Sequence, residues 1–161
     1  MNLDTLYLFL LNRLPNIQER QSLRHQKIKE INKLIVNSTE YKNFLENNRN
    51  FLKTFLHQTF GFPYSDISEN IIFDWYNLFR NFQYDRHKLE TYCQEKIFLF
   101  HQELESISRN TEIDQNELYH HFQAKLGKLI SQNKNPNLEF EIIISDFYLE
   151  YCEKKLIGFL C

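Results

Sequence analysis

The chain has 161 residues, 42% hydrophobic, 25% charged and 16% aromatic, and a formal net charge of −2 from 19 basic and 21 acidic side chains. A chain of this length fits one domain able to bury roughly two-thirds of its unfolded surface, and three Gly, three Pro and three Cys exclude collagen-like, linker-like and disulfide-scaffold classes. The near-neutral balance lacks the basic field that releases counterions from phosphate, so no nucleic-acid partner is expected.

Taken in chain order, apolar residues recur at helical spacing almost everywhere. Leu3, Leu6, Tyr7, Leu10 and Leu14 predict a first short helix ended by Pro15. Ile17, Ile28, Ile31 and Ile35 predict a second, its charged residues on the other side. Asn37, Ser38 and Thr39 form a capping cluster before a third helix carrying Tyr41, Phe44, Leu45, Phe51, Leu52, Phe55 and Leu56. Gly61-Phe62-Pro63 is the strongest break: a Gly able to take positive φ, and a Pro that pushes its predecessor out of the α region.

Ser65 or Ser68 then caps a fourth helix with Ile71, Ile72, Trp75, Leu78, Phe79 and Phe82. Asp85 caps a fifth that carries Leu89, Cys93, Ile97, Phe100, Leu104 and Ile107. Its run Ile97-Phe98-Leu99-Phe100 is apolar all round, which predicts a surrounded, central element. Asp114 with Glu117 resembles a capping box opening a sixth helix through Ile130. Asn133 to Asn137 is the best linker candidate. Leu138 to Ile144 alternates like a strand, but a lone strand has no visible partner, so a seventh helix is expected. The class is all-α, a single-domain bundle of about seven helices.

Candidate chemistry is sparse. No stretch approaches 18 uncharged apolar residues, and Met1 to Asp4 lacks a basic n-region, so a soluble intracellular chain is expected. Cys93, Cys152 and Cys161 are widely spaced and fit inert thiols in a reducing compartment. Glu117-x-x-His120 has the spacing of di-iron bundles, yet no second copy exists, so no metal or other cofactor is expected. Arg80-Asn81 followed by His87 resembles the Arg-polar…His pattern of the small helical HEPN ribonucleases, in which the two side chains would act on a ribose hydroxyl and a phosphate. No P-loop, G-x-G-x-x-G, Ser/His/Asp or Cys/His set is recognisable, so the chain is read as no enzyme. Charge is unevenly spread: Arg13 to Lys33 is mostly basic, whereas Glu139 to Glu153 is acidic.

The order of motifs carries a family resemblance. Leu23-Arg24-His25, the stretch Ile28 to Ile35, and Asn37-Ser38-Thr39-Glu40-Tyr41-Lys42-Asn43-Phe44-Leu45 resemble the phycobilisome linker domain, with its L-R-N-like start and Ser-x-x-Tyr-basic segment. Phe51 to Tyr64 is similar to that family's apolar helix leading into L-G-R-A-P-Y. Leu89 to Glu95 stands where the family has an S-x-E-Y region, which an accessory helical domain of glycosyltransferase systems shares. The resemblance covers about residues 1–105, so residues 1–110 are expected as a linker-like domain and 111–161 as a helical extension packed on it. It implies a colourless, non-catalytic adaptor that docks phycobiliproteins, in a plastid stroma or cyanobacterial cytoplasm at the thylakoid surface. The residues expected to face the partner are Arg20, Arg24, Lys27, Tyr41, Lys42, Phe62, Tyr64 and Trp75, on a basic helix Arg20–Lys33 and the Ser38–Tyr64 region.

Overall fold

Local chemistry sets most of the helix ends. Asn2 accepts a hydrogen bond from the Thr5 N–H at 2.8 Å and opens α1 (Leu3–Leu11). That helix closes at Asn12, which takes the left-handed conformation at φ 54° three residues before Pro15. Asn16 and Glu19 satisfy each other's backbone donors in a complete capping box at the start of α2 (Ile17–Ser22). The chain then turns at residues 23–27 before α3 (Ile28–Val36). Ser38 Oγ accepts from the Tyr41 N–H at the head of α4 (Thr39–Phe60). A single 3-10 turn (Tyr64–Asp66) follows Gly61, which sits at φ 67°. Ser68 caps α5 (Glu69–Asn81), and α6 (Arg86–Ser108) starts directly after Asp85. Asp114 accepts from the Asn116 N–H at 3.0 Å, ahead of α7 (Gln115–Gln132).

The computed structural model describes residues 1–108, 114–132, 146–147 and 149–151, and among them the protein is all-α. Positions 146, 147 and 149–151 are helical as well. The expected linker at 133–137, the strand-or-helix segment 138–144, Cys152 and Cys161 lie outside the described residues.

Two expectations change. The single helix spanning Ile17 to Ile35 is two helices joined by a turn, and Ile17 is 74% exposed. The turn allows Leu23 and Ile28 both to pack on the buried residues of α1 and α3, which a straight rod through Arg24 would not. The run at residues 97–100 is not surrounded either: Phe100 is buried, while Phe98 is 60% exposed and Leu99 is exposed. Helical geometry spreads four consecutive side chains over every face, so one neighbouring layer covers only part of such a run.

The chain divides into two compact units that alternate along the sequence: Met1–Phe55 with Ile67–Arg86, and Leu56–Asp66 with the described residues from His87 onward. Helix α4 therefore contributes to both. In the first unit, Leu6, Tyr7, Leu10 and Leu11 of α1 bury against Ile31 and Ile35 of α3. Burial of each such side chain contributes about 1.5–3 kcal/mol. An aromatic ladder continues this core: Phe51 lies 5.3 Å from Phe79, Phe55 meets Trp75 edge-on at 5.8 Å, and Tyr84 meets Phe44 edge-on at 4.9 Å.

One ionic clamp ties this unit together. Arg13 donates to Glu19 from Nη1 and Nη2 at 2.8 and 2.9 Å, and to Glu40 from Nε and Nη2 at 2.6 and 2.8 Å. Tyr7 donates its hydroxyl to Glu19 at 2.8 Å. One guanidinium thus joins α2 to the head of α4, and through Glu19 both connect to α1.

In the second unit, Leu56, Phe60 and Phe62 are buried, as are Leu89, Cys93, Phe100 and Leu104 of α6 and Leu118, Phe122, Leu126 and Ile130 of α7. Gly127 lets α7 approach the Phe60 and Phe62 rings so closely that a Cβ there would lie 2.8–2.9 Å from ring atoms. No helix among the described residues is long and apolar enough to cross a membrane.

Candidate docking groove

The first unit holds an open hollow of about 400 Å³ between α4 and α5. Helix α4 supplies Tyr41, Leu45 and Arg49, at steps of four. Helix α5 supplies Ile72 and Tyr76 from the edge of its buried stripe and Glu69, Asn70, Phe73, Asn77 and Arg80 from positions beside it. The stripe itself, Ile71, Ile72, Trp75, Tyr76 and Phe79, holds α5 against the interior. Phe73 falls outside that stripe and is 66% exposed, an uncommon position for a Phe.

The two ends of the hollow differ electrostatically. At one end Arg49 pairs with Glu69, and the guanidinium holds that carboxyl below its usual range. At the other, the Arg80 guanidinium lies 4.2 Å from the Phe9 ring centroid and 5.2 Å from that of Tyr76. Its Nε donates to the Tyr84 hydroxyl at 3.3 Å, and that hydroxyl donates to the Phe9 carbonyl. Burial pushes the Tyr76 phenol up to about 12. Burial also raises Tyr41, with Tyr76 adding to the shift and Arg80 opposing it. A second, shallower hollow of about 260 Å³ shares Leu45 and Arg49 and is lined further by Lys42, Glu46, Asn50 and Lys53.

The expected partner-facing residues do not assemble into one surface. Tyr41 lines the groove and Lys42 the neighbouring hollow. Arg20, on α2, is held by an ion pair with Asp4 at 2.6 Å. Arg24 lies in the turn after α2 and Lys27 at the head of α3, both exposed, so the basic helix Arg20–Lys33 is broken between them. Trp75 and Phe62 are fully buried, which removes them from any surface: Trp75 packs in the first unit and Phe62 in the second. Tyr64 is 56% exposed and stacks on His57 at 4.3 Å, while His57 Nδ1 lies 2.7 Å from the Phe62 carbonyl oxygen.

Arg80 sits in the last turn of α5, with its side chain against Phe9 and Tyr76, and His87 is an exposed residue at the start of α6. Gln83 and Tyr84, both at positive φ, break the helix between them. Arg49 and Asn77 belong to no motif of the sequence, and Phe73 is one of several aromatic residues around the Gly61-Phe62-Pro63 turn, of which most are expected in the core and a few at an interface. The available signal was the spacing Glu69, Asn70, Phe73, Asn77, Arg80, a polar face that carries one large ring. Among the described residues no cluster of three or more His, Cys, Asp or Glu is placed to hold a metal ion. No family model matches the chain, and neither a curated protein nor a solved structure matches it.

Proposed function

We propose that the chain is a non-catalytic helical interaction module of the phycobilisome-linker type, which docks phycobiliproteins through the α4/α5 face. The observation that carries this reading is the exposed Phe73 beside an open hollow walled by Tyr41, Leu45 and Ile72 and flanked by Arg49 and Arg80. Exposed aromatic and arginine side chains around a pocket are the composition of interface anchors. The order of sequence motifs from Leu23 to Tyr64 supports the choice of partner, because Tyr41, Leu45 and Arg49 fall within that same stretch. The reading carries with it a location in a plastid stroma or cyanobacterial cytoplasm, at the thylakoid surface.

The test is capture from a phycobilisome-containing extract by the purified, immobilised protein, read by the visible absorbance of the bound fraction. Wild type retains phycobiliprotein, and Phe73→Asp loses most of it. No coloured protein on the wild-type resin would sink the choice of partner. Equal capture by Phe73→Asp would sink the choice of face.

A further inference from the structure

We infer that Arg80 is the anchor of the α4/α5 groove and that the occupant is a protein segment presenting one carboxylate side chain flanked by apolar ones. This rests on the reading of that groove as a docking face and identifies the chemistry of what enters it. Arg80 stands apart from the other arginines of its unit. Arg13 is paired with Glu19 and Glu40, Arg20 with Asp4 and Arg49 with Glu69. Arg24 is exposed, and Arg86 lies over the Phe51 ring.

Arg80 is half-buried, yet among the described residues no carboxylate lies within ion-pair distance of it and neither Nη atom donates a hydrogen bond. Its orientation is nonetheless fixed, by two rings and by the Tyr84 hydroxyl. A planar donor fork held rigid before its acceptor arrives loses little entropy on binding a carboxylate.

Charge counting selects the anion. Glu69 already neutralises Arg49, so the hollow offers a single uncompensated positive charge, which one carboxylate matches and a doubly charged phosphate exceeds. Leu45, Ile72 and Phe73 lie between the two ends and call for apolar side chains beside that carboxylate. The surface is open, so the occupant is a segment of a partner protein laid along it.

The experiment selects a random peptide library, displayed on phage, on the full-length protein. Synthetic copies of the enriched peptides are then titrated by fluorescence anisotropy. Selected peptides are expected to share one Asp or Glu between aromatic or aliphatic residues. Replacing that acid by its amide weakens binding to wild-type protein by about tenfold or more, a comparison that needs no protein variant. Arg80→Gln, verified as folded by circular dichroism, loses the preference for the acidic over the amide peptide, whereas Arg80→Lys retains part of it. Equal affinity of acid and amide peptides with loss of binding in Phe73→Asp overturns the carboxylate anchor while leaving the docking face intact. Binding indifferent to Phe73→Asp, or no enrichment at all, overturns both.

Discussion

At the scale of single residues, the two glycines with defined surroundings pose opposite problems. Gly61 takes φ 67°, and an added Cβ would lie 2.1 Å from the Gln123 side-chain amide. That amide can swing away, but the left-handed backbone cannot be relieved by any neighbour. Gly61→Ala is expected to destabilise the protein by about 1–2 kcal/mol. The loss should persist in a Gln123→Ala background when both are measured by urea denaturation. Gly127 has helical φ, so alanine would gain about 1 kcal/mol of propensity. Its Cβ would however meet the Phe62 and Phe60 rings at 2.8 and 2.9 Å, and both rings are fully buried. Overpacking of this kind costs about 1–3 kcal/mol, so Gly127→Ala is expected to lower the urea midpoint rather than raise it. The sequence showed that Gly61 terminates a helix; the need for glycine at 127 exists only because Phe60 and Phe62 arrive beside it.

Cys93 extends the same scale to reactivity. It is fully buried, and burial pushes its thiol up to about 12, so almost no thiolate exists near neutral pH. Peptide mapping after iodoacetamide treatment at mildly alkaline pH should find residue 93 unmodified in native protein and fully alkylated in urea. Modification of the native protein at the rate of a free thiol would contradict this burial.

At the scale of elements, the Arg13 clamp determines how α1, α2 and α4 are held together. The guanidinium, followed by smaller contributions from the Asn16 backbone and the Tyr7 hydroxyl, holds the Glu19 carboxyl down to about 2. A folded-state value below the ordinary 4.5 gives stability that is intact above that value and lost as pH falls toward 2. Melting temperature should therefore decline over this window in wild type and decline less in Glu19→Gln, as followed by circular dichroism. Because about a third of the Arg13 side chain is exposed, solvent screening limits the clamp, and Arg13→Ala is expected to cost about 1–2 kcal/mol at neutral pH. Nothing local announces this triad. Arg13, Glu19 and Glu40 are separated by 6 and 27 residues, and only the packing of three helices brings them together.

At the scale of the whole molecule, the alternation of units along the chain decides which pieces can fold. The second unit draws Leu56, Phe60 and Phe62 from before Ile67 and the rest of its buried residues from after Arg86. A fragment starting at residue 87 lacks those three side chains and leaves the face of α7 around Gly127 uncovered. It should show little cooperative unfolding by near-ultraviolet circular dichroism, whereas a fragment starting at residue 56 should regain it. Equal cooperativity in the two fragments would mean that the Phe60–Phe62 turn is dispensable.

What the amino-acid sequence determined by itself was the class and most of the punctuation. Apolar spacing near 3.6 residues, the Asn and Ser caps and the Gly61-Phe62-Pro63 break are short-range effects, and they place helix ends to within a few residues. Side-chain exposure was only partly legible. Phe73 and Trp75 are both aromatic residues of one helix, yet one faces outward and the other is sealed inside. Likewise the turn between α2 and α3, written without Gly or Pro, follows from where Leu23 and Ile28 find apolar neighbours. Tertiary structure alone decided that Arg80 lies against Phe9 and that Arg49 pairs with Glu69. Those contacts join residues 71 and 20 positions apart, and their energy exists only once α1, α4 and α5 have packed.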